Sequence, residues 1–390
     1  MPTDKPYWIA LHRIPGIGRV RFALLQRHFG TLDLAWKAPA AELAAAGLDT
    51  RAVKAIETGR AEISPEQELK RLAHYKVEAL TLPEAAYPAQ LREIYDAPPV
   101  LYYRGTFLGA EEWSVTVVGT RRVTPYGREV AKRLCTDFAQ NKVAVVSGMA
   151  RGIDAVAHEA ALEAGGRTFA VQACGLDLVY PASHAELAKR IAAHGAVVSD
   201  YPLGTKPKPE YFPRRNRILA GLTMGTLVIE APERSGALIT ASFAAEEGRD
   251  VFAVPGSILS PASVGTNRLI KDGARPILEF EDVMEELNFR ITRAARPTTP
   301  TAPAQPQLAL QPAVPAVAKD SPEWKLLRLL GSEPAHVDEL CRLAALPIAE
   351  VSGLFAMLEL KGLVKQVGAM TYVRAAEAGV EESAFSVAAS

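Results

Sequence analysis

The stretch Tyr211-Phe212-Pro213-Arg214-Arg215-Asn216-Arg217 sets two aromatic rings directly before three arginines and an asparagine. Lys206 and Lys208 precede it in a Pro-rich segment. Rings beside cations suit a single nucleic-acid strand, whose bases stack while its phosphates are neutralised. The bland alternative is a solvated basic loop whose rings cap the core. Small residues recur elsewhere in the company of hydroxyls, amides and arginines. They stand at Gly119-Thr120-Arg121-Arg122, at Ser147-Gly148-Met149-Ala150-Arg151-Gly152-Ile153-Asp154, at Cys174-Gly175-Leu176-Asp177 and at Ser235-Gly236-Ala237 on to Thr240. Pro255-Gly256-Ser257 and Gly265-Thr266-Asn267 complete the set. Such tips let a ligand approach backbone N–H groups, and a helix N-terminus behind them favours negative charge.

These tips follow short, apolar, β-branched runs at 114–118, 143–147, 167–173, 196–199, 225–230, 250–254 and 275–278. Helix-patterned residues separate most of the runs, which predicts an α/β fold with a doubly wound, mostly parallel sheet. Ligands of such sheets collect beyond the carboxyl ends of the strands, where the tips lie. The first run is followed by no GxGxxG, and no GxxxxGK[ST] occurs anywhere, so dinucleotide binding and the Walker mechanism are not expected.

Lys and Arg total 44 and so do Asp and Glu, so a nucleic-acid site must be a local patch and not a charged surface. Three cysteines without a CxxC spacing argue against a disulfide framework or a zinc site. With no signal-peptide pattern and no membrane-length apolar run, a cytoplasmic protein is expected. Residues 291–320 are mostly Pro, Ala, Thr and Gln and read as a semi-extended linker. A weaker break near Ser64-Pro65 sets a helical segment, 1–63, apart from a body at 64–290. In that segment Ile14-Pro15-Gly16-Ile17-Gly18, flanked by Arg13, Arg19 and Arg21, reads as a glycine turn between helices. Residues 321–375 read as three helices and a small hairpin, a winged helix, and 376–390 as a frayed tail. The third of these helices carries Glu350 and Glu359 against Lys361, which favours protein interaction over duplex binding.

No catalytic constellation is expected. His158 follows Asp154 by one turn, but its alanine-rich helix points to a core histidine, and GxSxG is absent. His12, His28, His74, His184, His194 and His336 lack metal-ligand spacing, so neither a metal nor another cofactor is called for.

GTR, SGMARGID with its downstream His, YFPRRNRILAGL, SGALITA and GTNRLIKDGA occur in the order seen in the DprA/Smf family of DNA-processing proteins, which the chain resembles over residues 1–375. The resemblance implies an extended Rossmann domain between a helix-hairpin-helix (SAM-like) domain and the winged helix. It also implies binding of single-stranded DNA without cleavage, delivery of a RecA-type recombinase during DNA uptake and recombination, and a homodimer through the Rossmann domain. By motif position Arg121 would contact a phosphate, and Lys206, Lys208, Phe212, Arg214, Asn216 and Arg217 would line the groove. Gly119, Thr120, Ser147 and Gly148 would lend backbone contacts. The family's first motif is usually Gly-Ser-Arg; Thr120 keeps the hydroxyl. A rival reading is a nucleotide-processing enzyme resembling phosphoribohydrolases, whose PGGxGT-type loop is here broken between Pro255-Gly256 and Gly265-Thr266.

Overall fold

The computed structural model describes residues 4–107, 113–294, 321–330, 335–361, 363–368 and 370–374. Most of the expected linker (295–320) and the whole expected tail, 376–390, lie outside the described residues. The chain divides into two compact units, Met1–Pro297 and Thr298–Ser390.

The first unit begins with six helices: α1 (Lys5–His12), α2 (Arg19–Phe29), α3 (Leu32–Lys37), α4 (Ala40–Ala45), α5 (Thr50–Glu62) and α6 (Pro65–His74). Ser64 caps α6 by accepting from the Gln67 N–H at 3.3 Å, and Pro65 takes the first helical position, where a missing N–H costs nothing. Ser64-Pro65 is thus a helix start within continuous packing. Trp8, Ile9, Leu11 and Ile56 share one core with Leu72, Val77, Val100, Tyr102 and Val197, which belong to the body beyond it.

A nine-stranded sheet follows: β1 (Glu78–Thr81), β2 (Val100–Gly105), β3 (Ser114–Val118), β4 (Ala144–Ser147), β5 (Thr168–Val171), β6 (Ala196–Ser199), β7 (Gly225–Val228), β8 (Asp250–Ala253) and β9 (Arg275–Pro276). Their order is β1-β2-β6-β5-β4-β3-β7-β8-β9. The run from β6 to β9 is parallel and contains all seven expected strands. β1 and β2, which sequence patterning did not reveal, extend it antiparallel through Ala79↔Tyr102 and Tyr102↔Ser199.

Helices cover both faces, as a sheet buried on both sides requires. On one side lie α8 (Pro125–Gln140), α9 (Ile153–Glu163) and α14 (Phe280–Ala294), which contribute Leu134, Val156 and Leu287 to a common core. On the other are α7 (Ala89–Glu93), α11 (Tyr211–Leu222) and α12 (Gly236–Glu246), with Leu91, Leu219 and Ala241. The remaining helices are α10 (Ala185–His194) and α13 (Val264–Lys271). From β3 the chain steps one way to β6, then returns to the other flank of β3 as β7. The loops leaving β3 and β7 therefore diverge, and a crevice opens between them.

The second unit comprises α15 (Pro322–Leu329), β10 (Ala335–His336), α16 (Val337–Ala344), α17 (Ile348–Leu360), β11 (Val364–Gly368) and β12 (Thr371–Arg374), the expected winged helix. Its core joins Leu326, Leu340, Val351 and Phe355, whose ring stacks on Tyr372 at 4.6 Å. Among the described residues no helix is long and apolar enough to cross a membrane.

Candidate nucleic-acid interface

Three loops interlock beyond the ends of β3, β4 and β7. The Thr120 N–H donates to the Glu230 carbonyl at 2.7 Å, and the Thr120 carbonyl accepts from the Ile153 N–H at 3.2 Å. Gly152 sits at φ +86°, and any Cβ there would run into that same Thr120 carbonyl. Only glycine meets both demands. Met149, beside it, is a buried non-glycine residue in the left-handed region, a strain of the kind that clusters at ligand sites. With Thr120 turned inward, its Oγ1 accepting from the Arg122 N–H at 3.2 Å, the side chains of Arg121 and Arg122 stand exposed.

Helix α11 brings Phe212 to the same place. Its ring lies 5.3 Å from that of Tyr180, and the Arg121 guanidinium stands 5.7 Å from its centroid. Two adjoining crevices, of about 560 and 640 Å³, share Arg121, Ala150, Tyr180 and Phe212. Arg122 and Arg151 line the second and Arg234 the first. All four of these arginines are exposed, and none pairs with a carboxylate among the described residues. Among the described residues the one carboxylate in either lining is buried Asp154, which accepts from the Ala150 N–H at 3.2 Å and braces that loop from within. Burial pushes its pKa up, against the opposing pull of nearby Arg215.

The polar residues of α11 divide between two of its faces. Arg215 is internal: it donates to the Gly148 carbonyl at 2.9 Å and to that of Val171, so it ties the ends of β4 and β5 to the helix. Gly148 leaves room for it, since a Cβ there would lie 2.6 Å from the guanidinium. Asn216 is also committed, its amide donating to the Gly236 carbonyl at 3.2 Å. Ser147 is fully buried with its hydroxyl on the Val117 carbonyl at 2.6 Å, so its side chain holds strands together.

Arg217 departs from its expected place in the groove. It bonds Asp96 and Asp200, each at 2.9 Å, because the helical turn carries it away from Phe212. Arg214, on that same side, lines a separate groove with Tyr95, Glu246 and Glu247. Lys206 and Lys208 are exposed but line neither crevice; the Lys208 ammonium lies 5.6 Å from the Tyr211 ring. Arg122, Arg151 and Arg234 stand where sequence reasoning had assigned no contact, as does Tyr180. The first two lie inside motifs already singled out, whereas nothing local in the sequence signals Tyr180.

The cations of the N-terminal glycine turn are spent on the fold. Arg13 pairs with Glu68, Arg19 donates to the Ile94 carbonyl, and Arg21 bonds Asp49 and the Gly16 carbonyl.

His158 is a core residue, its Nδ1 2.7 Å from Thr168 Oγ1 and its Nε2 without a partner among the described residues. Burial pushes its pKa down to about 3 and that of His12 to about 4, from 6.5. Both rings are neutral when folded and take up protons near 6.5 when unfolded. Their contribution is therefore complete above pH 6.5 and lost as the pH falls toward 4 and 3, at about 1.4 kcal/mol per pH unit for each ring. Urea midpoints between roughly pH 7 and pH 5 should fall less steeply for His158→Gln than for the parent protein; parallel lines would refute the assignment.

The sequence model of the family described as DNA recombination-mediator protein A matches residues 78–288, and that of the DprA winged helix domain matches 294–370. Protein Smf of Synechocystis is 36% identical over 95% of this chain and 99% of its own length. DNA processing protein DprA of Streptococcus pneumoniae is 43% identical over 55% of this chain and 76% of its own. The X-ray structure of DprA from S. pneumoniae superposes with a TM-score of 0.64 at 34% identity, over 72% of this chain and 97% of that one. With both matched regions in sequence order and the fold shared, the chain belongs to the DprA/Smf family of DNA recombination mediators.

Proposed function

We propose that this protein binds single-stranded DNA without cutting it, acts as a homodimer, and passes the strand to a RecA-type recombinase during DNA uptake and recombination. The observation that carries the DNA reading is the Arg121–Phe212–Tyr180 cluster on the ridge between two crevices rimmed by exposed arginines. A duplex keeps its bases stacked inside, whereas a single strand presents them to such rings. Recombinase delivery and the dimer rest on family membership.

The phosphoribohydrolase-like alternative meets an obstacle in the glycine tips it would need. Asn267 bonds both the N–H and the carbonyl of Gly256, at 3.1 and 3.0 Å, and the Gly265 N–H donates to the Ala231 carbonyl at 2.8 Å. Those two amides are closed on the protein and are not offered to a phosphate.

Fluorescence anisotropy with a labelled oligothymidylate and a matched duplex tests the proposal, beside a nucleoside-monophosphate hydrolysis assay. The single strand should bind preferentially, and log affinity should fall with log salt at about −0.7 per phosphate contact. Four such contacts, from Arg121, Arg122, Arg151 and Arg234, give a slope near −3. Hydrolysis without strand binding would reverse the reading.

A further inference from the structure

The N-terminus of α12 presents groups that the Arg121–Phe212 contact leaves unused. Within the same crevice, the Gly236 N–H has no acceptor among the described residues, and a Cβ built on Gly236 would meet nothing within 4 Å. Arg234 stands exposed just before it. Thr240, one turn along this 11-residue helix, is only 1% exposed yet lines the crevice, and its hydroxyl bonds no described residue. That hydroxyl therefore opens onto the crevice, where a ligand can take up its hydrogen bond. The helix end is meanwhile fixed in place: Ser235 Oγ accepts from the Ala237 N–H at 3.3 Å, and Asn216 holds the Gly236 carbonyl.

We infer that this helix end is a second phosphate subsite, which takes an internal phosphodiester of the strand held by Arg121 and Phe212. The inference rests on the single-strand reading of the crevice. The helix dipole and the free N–H favour an anion there, Arg234 adds a full charge, and the Thr240 hydroxyl donates the remaining hydrogen bond. A strand that occupies both subsites passes over Val118 and Leu219, apolar members of the same lining.

The test is anisotropy with an oligothymidylate bearing a 5′-hydroxyl, with thermal melts alongside. Thr240→Val removes the hydroxyl while keeping the shape; binding should weaken by about tenfold at an unchanged melting temperature, and Thr240→Ser should restore it. Gly236→Asp adds a carboxylate in open space at the start of a helix, where acids are favourable, so the protein folds. It should nevertheless bind the strand far more weakly than Gly236→Asn. Full affinity in Thr240→Val, equal affinities in the two Gly236 variants, or a Thr240 effect seen only with 5′-phosphorylated strands would each overturn the subsite. If Arg121→Ala weakens binding while Thr240→Val does not, only the subsite falls. If the parent protein binds no single strand, the reading beneath it falls instead.

Discussion

An Arg217→Ala protein should lose roughly 2–3 kcal/mol of stability and keep the salt dependence of strand binding. The Arg217 side chain is only 14% exposed, and its guanidinium is divided between Asp96 and Asp200, with a third bond to the Arg214 carbonyl at 3.2 Å. The two carboxylates push its pKa up, against the desolvation that burial imposes. Asp200 is 11% exposed and its Oδ1 already lacks a partner among the described residues, so removal of the arginine strands a nearly buried charge. Breaking a fully buried pair costs about 3–5 kcal/mol; the expectation here is lower because Asp96 is 57% exposed and water screens its share. Urea unfolding with an unchanged m-value measures the loss, and anisotropy against salt measures the slope. A stable variant with a flatter slope would return Arg217 to the DNA groove.

That outcome turns on a point of helix geometry that the sequence obscures. Pro213 and the Pro-rich approach make 206–217 read as a loop in which every cation could face one ligand. Yet Pro213 is the third residue of α11, within the first turn, where proline is tolerated. Once the segment is helical, Phe212, Arg215, Asn216 and Leu219 share the crevice face, and Arg214 and Arg217 turn elsewhere. The glycine tips were legible because each follows a strand of the kind that parallel sheets bury, and the C-terminal ends of such strands meet at one edge. Tyr180 was not, since its place depends on how the segment after β5 folds back onto α11. The strands β1 and β2 escaped notice for a related reason. Glu78–Thr81 is four residues long, and its pairing with Val100–Gly105 closes across a helix. The break read at Ser64-Pro65 was a helix cap, which looks the same in sequence whether or not packing continues across it.

Arg121 and Phe212 together should show the largest effects on binding, and the two should separate charge from stacking. Arg121→Ala should weaken single-strand affinity by about 1.5–3 kcal/mol, uniformly across sequences, since phosphate contacts carry no base information. It should also flatten the salt slope by about 0.7, one contact's share. Phe212→Ala should cost roughly 1–3 kcal/mol through lost stacking and leave the slope alone, because a ring releases no counterion. Phe212 is partly exposed against Tyr180 and belongs to none of the buried cores, so its truncation should barely move the melting temperature. The guanidinium stands 5.7 Å from the ring centroid, so the losses should not simply add. In the double variant the cost should fall short of the sum by about 0.5–1 kcal/mol, the value of an exposed cation–π contact that places Arg121 for its phosphate. Strict additivity would mean that the two side chains meet the strand independently. Full affinity in both folded single variants would remove the ridge from the binding path altogether.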